Sequence, residues 1–236
     1  DQTQSGIGSG GGAEPDPISG GSLLCSNNAR ICGSGDSDGN NAHAFAYDTY
    51  MAYSNVHSRD SINNAGMAIK SYVHYGVGYQ NAFWDGAEMV YGDGFSAADD
   101  VVGHELTHGV TEREANLFYF WESGAINESF SDVWGEYVDQ VMNFTGGDTA
   151  ILKWRMGEDV PGYPNGLRDM ETPSTFGDPD SMTSIYYCES GNCYNYDNGG
   201  VHYNSGVNNK AAYLMVDGGT FNLKTVTPLG WNKTLT

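Results

Sequence analysis

The segment Val101-Val102-Gly103-His104-Glu105-Leu106-Thr107-His108-Gly109-Val110 constrains this chain more than any other. It holds the pattern H-E-x-x-H inside an apolar run that predicts a buried helix. Helical residues four apart share a face, so His104 and His108 can turn two imidazoles toward one metal ion. Zinc accepts nitrogen ligands and, in catalytic sites, keeps one position for water. Glu105 follows His104, where its carboxylate can take a proton from that water. Three fixed identities also arise by chance, and paired histidines also serve packing or solubility. The metal reading therefore needs a third ligand.

Residues 122–135 predict a second helix, on which Glu128 and Asp132 lie four apart among Ala125, Ile126, Phe130, Val133 and Trp134. Carboxylates usually face water, but a pair set in apolar surroundings needs a cation or hydrogen-bond donors. A metal for Glu128, and the second ring nitrogen of a ligating histidine for Asp132, would satisfy both.

These two blocks, H-E-L-T-H-G-V-T-E and E-S-G-A-I-N-E-S-F-S-D-V-W-G, resemble the thermolysin-like family of zinc endopeptidases, including the spacing from His108 to Glu128. Thermolysin is the usual illustration of a catalytic zinc held by two histidines and a glutamate. Two more blocks agree in order: Asn81-Ala82-Phe83-Trp84-Asp85-Gly86 upstream, and Asp197-Asn198-Gly199-Gly200-Val201-His202-Tyr203-Asn204 downstream. The resemblance covers roughly residues 42–218.

The resemblance implies an α+β thermolysin-like fold, with a β-rich N-terminal lobe, a mainly helical C-terminal part and the zinc-site helix at the cleft between them. The expected division is a shortened loop-and-strand segment at 1–42, a β-rich lobe at 43–108 and an α-rich lobe at 109–236. One zinc is expected on His104, His108 and Glu128, with Glu105 as general base. His202 and Tyr119 are expected to donate to the developing oxyanion. Asp132, Asn127 and Asp197 are expected to orient the groups in front of them. Asn81, Ala82 and Arg168 match substrate-binding positions, the arginine as a planar fork of donors. Val101, Met156, Val160 and Leu167 match apolar positions that receive the residue after the cut. Asp100, Asp139 and Glu158 match calcium ligands. Lys153 and Arg155 replace acidic residues of the double-calcium members, and are expected to neutralise part of the cluster and leave at most one calcium.

The charge balance, 10 Lys and Arg against 30 Asp and Glu for a net −20, excludes nucleic acid and disfavours anionic membranes as partners. No stretch approaches the run of about 18 apolar residues that crosses a bilayer, and the chain starts at Asp1. A processed, secreted, extracellular protein acting on polypeptide substrates is the expectation. Four cysteines allow three connectivities; the local pairs Cys25–Cys32 and Cys188–Cys193 are favoured, each closing a small polar loop. Family members continue through further helices beyond the region of His202, expected here on a separate or cleaved segment. The rival reading is a catalytically weak or inactive zinc- and calcium-binding relative that serves as a binding module. Glu105, Tyr119, Asp197 and His202, all present, speak against it.

Overall fold

A computed structural model describes residues 21–142 and 148–236. The loop and strand expectations for residues 1–20 lie outside that range. In chain order the elements are α1 (Ser37–His57), β1 (Ser71–Tyr72), β2 (Ala82–Trp84), β3 (Met89–Tyr91), α2 (Asp99–Glu114), α3 (Trp121–Tyr137), β4 (Arg155–Met156), β5 (Arg168–Asp169), α4 (Asn192–Tyr196), α5 (Val201–Asp217), β6 (Gly219–Phe221), β7 (Lys224–Val226) and α6 (Trp231–Thr234). A π-helical turn at Val138–Met142 prolongs α3. The architecture is α+β, with short strands and long helices.

Helix α1 begins at Ser37, where its start is set by a cap. The Asp36 side chain accepts the Gly39 N–H at 2.8 Å, taking one of the amides that a first turn leaves free. Ser58 closes the helix in the left-handed region, at φ 54°. Both expected boundaries, 42/43 and 108/109, therefore fall inside helices α1 and α2.

Strand β3 is central in a three-stranded sheet ordered β1-β3-β2, parallel to β1 and antiparallel to β2. Among the described residues strand β2 is thus an edge. Strand β1 pairs with β3 at Ser71↔Met89 and Tyr72↔Val90, and His74 takes φ 61° just beyond it.

Helix α2 is buried on every side from Asp99 to Thr111. Sheet strands β2 and β3, α1 and α3 surround it, with Leu106, Val102, Tyr53, Trp84, Tyr91 and Trp134 in one core. Burying each such side chain contributes about 1.5–3 kcal/mol. The Tyr53 ring stacks on Trp134 at 3.8 Å between centroids, and its hydroxyl donates to Thr107 of α2 at 3.0 Å. Helices α2 and α3 approach closely where both lack side chains. A Cβ on Gly135 would lie 2.5 Å from the Asp100 carbonyl oxygen, and one on Gly103 would lie 3.1 Å from the Gly135 Cα. That contact sets the distance between the two helices carrying the expected ligands, and α5 packs on the other side of α3. Among the described residues no helix is long and apolar enough to cross a membrane.

Candidate active site

The helical spacing of α2 turns His104 and His108 toward α3, where Glu128 is fully buried. Single ligand atoms of His104, His108 and Glu128 all lie within 4.8 Å of one another. The two Nε2 atoms are 2.9 Å apart, and Glu128 carboxylate oxygens stand 3.4 Å from each. Behind them, His104 Nδ1 donates to Asp132 Oδ1 at 2.8 Å and His108 Nδ1 donates to Asn127 Oδ1 at 2.9 Å. These partners put the ring proton on Nδ1 and leave two Nε2 lone pairs facing each other. Glu128 Oε2 is buried with no hydrogen-bond donor. Two opposed lone pairs and an unsatisfied carboxylate oxygen suit one cation, and two nitrogens with one oxygen suit zinc.

The charges agree. Burial opposes ionisation of Glu128, yet His202 and His108 beside it hold its carboxyl well below the usual range. Burial alone would depress His104, but Asp132 and Glu128 drive it up to about 10, so a metal ion must displace a proton from Nε2 to bind there. Burial pushes His108 down to about 4, which keeps it a neutral ligand. Burial pushes Glu105 up to about 7, against the opposing charge of His104. A carboxyl so placed can both take and return a proton near neutrality.

Glu105, Asn81, Ala82, Tyr119, Arg168 and His202 line one recess of about 90 Å³ together with the three candidate ligands. Tyr119 arrives from the turn between α2 and α3, and His202 from the first turn of α5. The Tyr119 hydroxyl donates to Glu128 Oε1 and stands 3.3 Å from His202 Nε2. Asp197 fixes His202 twice, accepting Nδ1–H at 2.5 Å and the backbone N–H at 2.9 Å. Burial works against the imidazolium, but Glu128 and Asp197 raise His202 above its ordinary value, so it is a donor.

The apolar side of the recess is made by Val101, Met156 and Leu167, as expected, and by Phe95, which sequence reasoning missed. Val160 packs in the hydrophobic core and is not among the residues lining the recess. Ser131, whose hydroxyl stands 3.2 Å from His108 Nδ1, was also missed; its place one turn past Glu128 on the buried face of α3 was the available signal.

The calcium expectation is only partly met by position. Asp139, Asp148 and Glu158 bring ligand oxygens within 4.8 Å of one another. Asp100 is not in that trio: its oxygens accept the N–H groups of Val101 and Gly157. Asp148 has no motif to announce it. Asp148 Oδ2 and Glu158 Oε2 are buried without hydrogen-bond partners, and burial with neighbouring Asp100 pushes the Glu158 carboxyl strongly upward. Such oxygens suit a hard cation. Lys153 and Arg155 do not neutralise this cluster. Lys153 pairs with Asp217 at 2.6 Å and Arg155 lies 3.4 Å from Asp169, because β4 and its neighbours turn these long side chains toward α5 and β5. The bonds Cys25–Cys32 and Cys188–Cys193 are both formed.

This architecture, with two histidines on one helix, a glutamate on the next and a carboxyl beside them, defines a metallopeptidase-type centre. Residues 13–112 match the family profile "Thermolysin metallopeptidase, catalytic domain" and residues 115–236 match "Thermolysin metallopeptidase, alpha-helical domain". The join falls at the end of α2. The chain is 46% identical over 202 residues to bacillolysin of Bacillus cereus, covering 81% of this chain and 34% of that protein. It is 45% identical over 223 residues to thermolysin of Alicyclobacillus acidocaldarius subsp. acidocaldarius, covering 90% of this chain and 39% of that protein. Among solved structures, the precursor of protealysin, a metalloproteinase from Serratia proteamaculans, matches with a TM-score of 0.67 and 40% identity. That match covers 77% of this chain and 60% of that one. The chain belongs to the thermolysin metallopeptidase family. It spans well under half the length of the curated relatives it matches.

Proposed function

We propose that this chain carries the catalytic centre of a secreted zinc endopeptidase that prefers an apolar residue just after the cut. The observation that carries the reading is the convergence of His104, His108 and the donor-less Glu128 Oε2 beside a carboxyl poised near neutrality.

His104, His108 and Glu128 would hold the zinc. When bound, zinc supplies Lewis acidity to the scissile carbonyl and the attacking water. The chain's own groups do the rest. Glu105 accepts the proton of the attacking water and delivers it to the departing amine. His202 and Tyr119 donate to the oxygen that becomes negative, donors commonly worth about 2.7–4 kcal/mol each. Arg168 spends Nε and Nη2 on Asp132, and offers the rest of its guanidinium to a substrate carbonyl. The open edge of β2 at Ala82 offers main-chain pairing to an extended peptide. Phe95, Val101, Met156 and Leu167 form the apolar recess for the residue after the cut. Two disulfides fit an oxidising, extracellular compartment. One structural calcium on Asp139, Asp148 and Glu158 completes the reading.

The test is metal content of the purified protein together with casein hydrolysis before and after 1,10-phenanthroline. About one zinc per chain and cleavage abolished by the chelator are expected. Zinc without cleavage would leave a binding role, and folded protein free of zinc would overturn the reading.

A further inference from the structure

A second recess, of about 430 Å³, has no lining residue in common with the first and is not used by the chemistry above. Its walls include Trp121, Tyr187, Tyr194 and Met182, with the carboxylates of Glu122 and Glu189. Trp121 is two residues past Tyr119, and the Gly199-Gly200 turn that flanks it leads directly into His202. The two recesses therefore share both segments that supply the expected oxyanion donors.

The walls are fixed. Trp121 takes φ 50°, a conformation rare for a bulky residue and held only where the surroundings impose it. Its backbone N–H donates to the Asn198 carbonyl at 2.9 Å and its indole N–H to the Tyr194 hydroxyl at 2.8 Å. Gly199, at φ 85°, lies under the indole, and any side chain there would collide with it. On the other side, a Cβ at Gly200 would lie 2.6 Å from Cys188 Sγ. Asn204 of α5 ties the disulfide loop down, accepting the Cys188 N–H at 2.9 Å and donating to the Cys188 carbonyl at 3.0 Å. Yet the faces turned to solvent are apolar: Trp121 is 47% exposed and Met182 62%. A braced aromatic platform left open to water, with two acids and no Lys or Arg among its lining residues, suits an apolar body with a cationic neighbour.

We propose that this recess is a substrate subsite that receives an aromatic or long aliphatic side chain, next to a Lys or Arg, from the part of the polypeptide preceding the cut. It rests on the endopeptidase reading for the direction of the chain. The apolar recess at Phe95, Val101, Met156 and Leu167 takes the residue after the cut, and the second recess is built on the segments that carry Tyr119 and His202. Charge complementarity of Glu122 and Glu189 with the basic residue selects the occupant.

The test uses zinc-loaded Glu105→Gln protein and two blocked peptides, one spanning only the cut and the other extended at its amino end by Phe-Arg, titrated by calorimetry. The extension should tighten binding about tenfold. The gain should fall to about twofold in Met182→Ala and in the Glu122→Gln/Glu189→Gln pair, while the short peptide binds as before. Equal affinity for both peptides, or a gain that survives in both variants, would overturn the subsite. Absence of binding by either peptide would overturn it together with the peptidase reading. Binding of the short peptide without its hydrolysis by the unmutated protein would sink the peptidase reading alone, because the gain on extension is read without catalysis.

Discussion

Arg168 grips Asp132 with two parallel bonds, Nε to Oδ2 at 2.9 Å and Nη2 to Oδ1 at 2.5 Å, while Asp132 Oδ1 accepts from His104. Asn209 of α5 donates to the same carboxylate at 2.7 Å. One arginine thereby links the substrate recess to the orientation of a candidate metal ligand. Burial disfavours the Asp132 anion, but Arg168 and His104 hold it down to about 2.

Replacing Arg168 with Lys removes the planar fork and keeps the charge. Zinc affinity and kcat/KM should each fall about 10–100-fold, the usual loss when a partner of a ligand is disturbed. A competition titration with a chromophoric chelator, alongside peptide hydrolysis, measures both. Unchanged zinc affinity would show that Asp132 is held without Arg168.

Glu105 is not one of the three residues whose ligand atoms converge, so its role separates from binding. Glu105→Gln keeps the shape and removes the base. Hydrolysis should drop by about 10²–10⁴-fold or more, with zinc content unchanged by mass spectrometry. Loss of zinc in this variant would mean that the carboxylate helps to hold the ion instead.

The acid cluster at Asp139, Asp148 and Glu158 predicts a calcium-dependent stability. Burial and mutual repulsion raise Asp99, Asp100 and Glu136 nearby as well as Glu158, so the cluster opposes folding unless a cation is bound. At a calcium level of about 100 Kd, binding contributes about 2.7 kcal/mol, or roughly 5–10 °C in Tm for a chain of this size. Scanning calorimetry with calcium and then with EGTA should show that drop, and Glu158→Gln should abolish the difference. A chelator-insensitive Tm would remove calcium from the site.

What the sequence disclosed follows from range. His104 and His108 lie four apart on one helix, so spacing alone predicts that they converge, and Glu128 and Asp132 follow from the same rule one helix later. Asp148 and Phe95 escaped because no periodicity ties them to the groups they meet; folding of separate segments does. Val160 is expected in the recess from its match to a family position, and such a match does not say whether the side chain here faces the core or a cavity. The predicted helix begins at residue 122, so Trp121 carries no signal of its own, and only its contacts with Asn198, Gly199 and Tyr194 mark it as a fixed wall.

The close approach of α2 and α3 should fail with one methyl group. In Gly135→Ala the new Cβ would meet the Asp100 carbonyl oxygen at 2.5 Å and Met156 sulfur at 3.3 Å. Backbone cannot yield as a side-chain tip can, so the helices must separate, at a cost of roughly 1–3 kcal/mol. His104 and Glu128 ride on those helices, and zinc affinity should fall with stability. Denaturant midpoints and a chelator titration would check this; reduced stability with full zinc affinity would show that the ligand geometry does not depend on this contact.

A histidine far from the metal gives the chain a pH-dependent fastening. His74 donates through Nδ1 to Asp93 at 2.6 Å and through Nε2 to Asp36, the cap of α1, at 2.9 Å, with Asp38 at 3.7 Å. The hydrogen bonds to Asp93 and Asp36 raise His74, against partial burial. A group with a raised folded pKa stabilises fully below its unfolded value of about 6.5 and loses that contribution as pH climbs through the folded value. The Gly39 amide and His74 depress Asp36, so its contribution is kept above its unfolded value and fades only in stronger acid. The difference in denaturation midpoint between the parent protein and His74→Ala should therefore be largest near pH 5–6 and shrink as pH rises toward 9, at fixed calcium and low salt. Exchange of the Gly39 amide, which Asp36 accepts, should quicken over the same interval in the parent protein. A midpoint difference that grows with pH would reverse the sign of the linkage and exclude a charged His74 as the fastening.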